Sequence, residues 1–96
     1  MATDANFDVP AELTFDNAEE TKQLGYDFIS GAEGEIELDV GAIVQANSLA
    51  VAVLSAWQRR AILQDKSIVF VNLSQELRNI IALSGLEEII AVDPGH

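Results

Sequence analysis

The strongest constraint on the fold is an apolar helical stretch set between two β-patterned runs. Glu35-Ile36-Glu37-Leu38-Asp39-Val40 alternates strictly, and Ser67-Ile68-Val69-Phe70-Val71-Asn72 is β-branched and apolar on both faces. Between them, Leu49-Ala50-Val51-Ala52-Val53-Leu54 is apolar nearly all round, and polar Gln58, Arg59 and Arg60 follow. That pattern predicts a helix over 48–63 with Asn47 as its cap, buried or covered by a partner at its start. A strand, a helix and a second strand make a right-handed crossover between parallel strands. The alternation puts Ile36, Leu38 and Val40 on one face and three carboxylates on the other, so helices are expected to cover one side of the sheet. The run 67–72 suits a central strand.

The flanks extend the same alternation. Phe7, Val9, Ala11, Leu13 and Phe15 recur at period two, which predicts a half-buried strand with Pro10 marking an edge or an early end. Asn17 is expected to cap the next helix with Glu20 completing the box, and Ala18, Leu24, Phe28 and Ile29 form its apolar stripe up to Gly31 and Gly34. Ser74 caps a third helix, with Leu73, Leu77, Ile80, Ile81 and Ser84 on one stripe and Gly85 as its stop. Residues 86–92 add a short helix or strand. The resulting β-α-β-α-β-α order predicts one α/β domain over 1–96.

Composition narrows the function. The chain has 96 residues, of which 49% are hydrophobic, and it has no cysteine, so disulfides, thiol catalysis and Cys-ligated metals are excluded. The longest strongly apolar stretch, 49–57, is interrupted by Ser55, whereas a membrane span needs about 20 residues. Nothing in 1–8 reads as a signal peptide, and a soluble protein is expected. Residues 1–40 carry eleven acids against Lys22 alone, while 41–96 carry five acids against four bases. The acidic half disfavours nucleic acid and anionic lipid as partners. The near-neutral half is the better place for a protein interface.

The groups that catalysis needs are scarce. His96, the only histidine, is the last residue of the sequence, and the carboxylates fall on a strand's solvent face and in first turns of helices. Gly31-Ala32-Glu33-Gly34 lacks the Lys and Ser/Thr of a phosphate loop, and no G-x-S-x-G elbow is present. No catalytic residue, cofactor or metal is therefore expected. Ser48 stands out, because a hydroxyl at the start of the most apolar helix lies beside unpaired N–H groups and the positive end of the dipole. It is either an ordinary helix-start residue or a phosphorylation or docking position.

Asn47-Ser48-Leu49-Ala50-Val51-Ala52-Val53-Leu54, then Arg60-Ala61, Ile68-Val69-Phe70-Val71-Asn72-Leu73 and Leu77-Ile80-Ile81-Leu83-Gly85-Leu86 together resemble a STAS domain over roughly residues 7–92. Pro10-Ala11-Glu12-Leu13-Thr14 stands where that family has an early Gly-x-Leu-Asp segment. The resemblance implies the fold of anti-sigma-factor antagonists: a mostly parallel four-stranded sheet with helices packed on one side. Within the family, the chain is most similar to the STAS subunit of the Mla phospholipid-transport system. It implies a non-catalytic accessory subunit bound to the ATPase of an ABC transporter that maintains outer-membrane lipid asymmetry. Such a subunit is cytoplasmic and reaches the membrane through the transporter complex, without inserting directly. The alternative within the family is an anti-sigma-factor antagonist, with an anti-sigma kinase as partner and serine phosphorylation as its switch.

Carried over, Ser48 takes the place of the family's Ser/Thr and Asn47 that of its Asp. Leu49-Ala50 replaces small, often Gly-containing residues beside the hydroxyl. Asn47, Ser48 and Leu49 are thus the expected partner-binding residues, with Ser48 also the candidate for modification. A bulky Leu49 favours constitutive docking as an apolar anchor over a phosphate switch. The chain begins close to the family's second strand, so its first strand is expected to be short or missing, with a sheet edge guarded by acids and Pro10.

Overall fold

The computed structural model describes residues 3–4, 7–86 and 90. In chain order they form β1 (Thr3–Asp4), α1 (Ala18–Gly31), β2 (Glu35–Asp39), α2 (Ser48–Leu63), β3 (Ser67–Val71) and α3 (Gln75–Leu83). The strands lie in the order β1-β2-β3, all parallel. The register pairs Ile36 with Ile68 and Leu38 with Phe70, so the apolar residues of β2 and β3 share one face. Ile36, Leu38, Val40 and Phe70 are completely buried, and Glu35 and Asp39 are exposed, as the alternation predicts. Ile29 from α1, Leu54 and Trp57 from α2, and Leu77 and Ile81 from α3 join that face in one aliphatic core. The helices therefore cover one side of the sheet.

Among the described residues the sheet has three strands with β2 in the middle, and the fourth strand of the expectation is not among them. β3 keeps its apolar outer face only half-buried, at Val69 and Val71. The expected element at 86–92 falls mostly outside the described residues. Ile90 is described, and it is buried.

The period-two run 7–15 is not a strand. Its one pairing is an isolated parallel bridge between Glu12 and Gln45, and the short strand that flanks β2 is Thr3–Asp4. Pro10 has no N–H to offer a ladder. The Ala11 carbonyl is taken by the N–H groups of Val44 and Gln45, at 2.9 and 3.0 Å. Leu13 is buried as the alternation implies, but Phe15 is 94% exposed.

α1 also begins differently. Asn17 makes no capping bond to it. Its Oδ1 instead accepts from the Thr14 N–H at 2.8 Å, and its Nδ2 donates to the Glu12 carbonyl at 2.9 Å. The residues α1 buries are Thr21, Gly25 and Ile29, while Leu24 is 40% exposed. Its C-terminal end has no basic residue of its own. Lys66, from the turn after α2, supplies one: its Nζ donates to the carbonyls of Ile29 and Ser30, the latter at 2.9 Å. α2 and α3 match their sequence signals, capped by Asn47 and Ser74, with Gly85 at φ +73° closing α3.

Candidate partner-docking site

The entrance of α2 is held by Asn47. Its Oδ1 accepts from the Ala50 N–H at 2.8 Å, satisfying one of the free donors of the first turn. Its Nδ2 donates to the Leu13 carbonyl at 3.0 Å, 34 residues away in sequence. One side chain thus caps the helix and ties the 11–17 loop to it. This suits an amide at the cap, because a carboxylate has no hydrogen to give Leu13.

Ser48, the first residue of the helix, is exposed. The first turn carries no acidic side chain, so the positive end of the dipole at Ser48 is uncompensated from within α2. Leu49 is half-buried and packs against the core. It lines a cavity of ≈ 300 Å³ between α1 and α2, together with Ala18, Lys22, Tyr26, Ala52 and Arg59. Leu49 therefore faces the cavity beside α1, and Ser48 is the exposed residue of this turn that does not line it.

Charge is arranged around that cavity. Lys22 pairs with Glu19 at 2.9 Å, and the hydrogen bond and charge of Glu19 hold the ammonium above its ordinary range. The Arg60 guanidinium lies 3.8 Å from the centre of the Tyr26 ring, a cation–π contact. The 11–17 loop and the 43–47 loop form the rest of the surface. They are joined by the Ala11 and Leu13 carbonyl bonds and by the Glu12–Gln45 bridge. They carry two apolar side chains that nothing covers, Phe15 and Val44, at 94% and 60% exposure. Sequence patterning misses Phe15, because period two assigns it to a strand's inner face. The signal that could have found it is Thr14-Phe15-Asp16-Asn17, a turn composition ending in Asn.

A second cluster lies at the ends of β2 and β3. Asn72, with φ +64°, donates to the Asp39 carboxylate at 2.9 Å, and the same carboxylate accepts from the Gly41 N–H at 2.8 Å. Its carboxylate and amide groups satisfy one another and hold the β2 and β3 ends together. Among the described residues, no group of three acidic or histidine side chains is placed to hold a metal ion. No helix among them is long and apolar enough to cross a membrane.

Residues 45–52 contain no ionisable side chain. The α2 entrance offers a hydroxyl, backbone N–H groups and apolar surface on a framework tied by hydrogen bonds, which suits recognition. No curated protein matches the chain at a significant level. The family described as "Mlab, STAS domain" matches residues 5–91, and the chain belongs to that STAS family.

Proposed function

We propose that this protein is a non-catalytic accessory subunit that binds and regulates the cytoplasmic ATPase of an ABC-type phospholipid transporter. STAS domains mediate protein–protein interactions, and the family's Mla description supports a link to lipid transport. The observation that carries the reading is the α2 entrance, where Asn47 fixes the helix start, leaves Ser48 exposed, and is bonded to the loop that displays Phe15. The protein works in the cytoplasm as one domain and reaches the membrane only through its partner.

The test is co-purification with the ATPase subunit of the transporter. Ser48→Tyr puts a bulky group on the exposed face without touching the core. It is expected to abolish binding while leaving the melting temperature unchanged. Undiminished binding would sink the proposal. Leu49→Asp is the poorer probe, because a carboxylate at a half-buried site also destabilises the domain.

The exposed Ser48 hydroxyl supports a second reading, an anti-sigma-factor antagonist switched by phosphorylation. Incubation with a cognate anti-sigma kinase would then add one phosphate, seen by intact mass, and Ser48→Ala would prevent it. No added phosphate removes this reading.

A further inference from the structure

Phe15 is the most exposed large apolar residue of the described chain, and it stands on a turn held from several sides. The Thr14 N–H donates to Asn17 Oδ1, the N–H groups of Asn17 and Ala18 donate to the Thr14 carbonyl at 3.2 and 2.8 Å, and Asn17 Nδ2 donates to the Glu12 carbonyl. Leu13, two residues before it, is bonded to Asn47, and Ala18, three residues after it, lines the same cavity as Leu49. The turn that carries Phe15 is therefore tied to the α2 entrance. The backbone that carries the ring is thus ordered before binding, and only the two side-chain torsions of Phe15 remain to be fixed, which is what a binding anchor needs.

The surroundings say what such an anchor would enter. Glu12, Asp16, Glu19 and Glu20 are all exposed around it in sequence, with only Lys22 on the same stretch, and Lys22 is paired with Glu19. An apolar tip on an exposed acidic segment is complementary to an apolar pocket rimmed by cations. A second copy of this chain fits poorly. Pairing through Phe15 would set these acids against their own copies, and of the cations Lys22, Arg60 and Lys66 are engaged internally, which leaves the exposed Arg59 against many acids.

Resting on the reading of the α2 entrance as a docking site, we infer that Phe15 is its anchor and inserts into a partner protein's apolar pocket rimmed by lysine or arginine. The acidic half of the chain thus takes part in docking and steers the encounter, beyond keeping the protein dispersed.

The probe is the purified transporter ATPase, titrated calorimetrically against the full chain at low salt and at about 0.5 M salt. Phe15→Ala is expected to weaken binding by about tenfold or more with no change in melting temperature, since the ring is exposed. Wild-type affinity is expected to fall with salt, and Asp16→Lys to lower affinity at low salt and flatten that dependence. Two results overturn the inference while leaving the docking reading intact. One is Ser48→Tyr abolishing binding while Phe15→Ala stays within about twofold of wild type. The other is a salt-dependent loss absent from both wild type and Asp16→Lys. If neither Ser48→Tyr nor Phe15→Ala alters binding, the docking reading itself fails. A dimer in sedimentation that Phe15→Ala disperses would assign the ring to a second copy and overturn the inference.

Discussion

The indole of Trp57 fills the space that a side chain on Gly25 would need, and its Nε1 donates a 3.0 Å hydrogen bond to the carbonyl of Lys22, one turn earlier on the same helix. Trp57 is completely buried, with the Phe7 ring edge-on at 5.7 Å and the Phe70 ring at 6.5 Å. This one side chain joins α1, α2, β3 and the segment before α1.

Gly25→Ala should therefore destabilise the domain, although alanine is the better helix former. Overpacking costs about 1–3 kcal/mol and helix propensity returns about 1 kcal/mol. Any weakening of the indole hydrogen bond adds about 1 kcal/mol. A net loss of about 2 kcal/mol lowers the melting temperature by roughly 10 °C in a domain of this size, with a change in tryptophan fluorescence. An unchanged melting curve would mean that the indole moves aside at little cost.

Asn47→Asp separates two jobs of one side chain. The carboxylate still caps Ala50 and suits the helix dipole, but it faces the Leu13 carbonyl without a proton. The variant should lose about 1 kcal/mol, and amide exchange should quicken at residues 11–17 more than in α2. Equal protection of the loop would show that the Leu13 bond does not hold it.

Lys66→Met keeps the apolar stem and removes the charge that serves the C-terminal carbonyls of α1. A loss of about 1–2 kcal/mol is expected in thermal melts. The difference from wild type should shrink as salt is added, because the position is only partly buried.

Ser48→Glu places a negative charge on the first turn of α2, where no acid stands. Stability should rise by about 0.3–1 kcal/mol, because the charge meets the positive end of the dipole. ATPase binding should fall at the same time. A variant that is more stable and still binds fully would show that Ser48 lies outside the interface.

Much of the fold could be read from local pattern. The strict alternation at 35–40 identified β2 and its acidic outer face, and Asn47 and Ser74 marked two helix starts that the structure uses. The partner-binding candidates at the α2 entrance were legible as a helix start. What Leu49 does there was not, because its half-burial depends on how closely α1 approaches. The run 7–15 misled because period two describes side chains only, whereas a strand also needs a partner for its backbone. Here that backbone bonds to the 43–47 loop and to Asn17 and Asn47.

By itself, then, the sequence determined the α/β class, the parallel crossover, the aliphatic core and two of the helix caps. These follow from residue spacing and from bonds between near neighbours. Tertiary structure decided which strand is central, where Phe15 is displayed, why residue 25 lacks a side chain and how Lys66 completes α1. Each depends on groups distant in the chain, such as Trp57 on Lys22 and Asn47 on Leu13, and local periodicity carries no record of them.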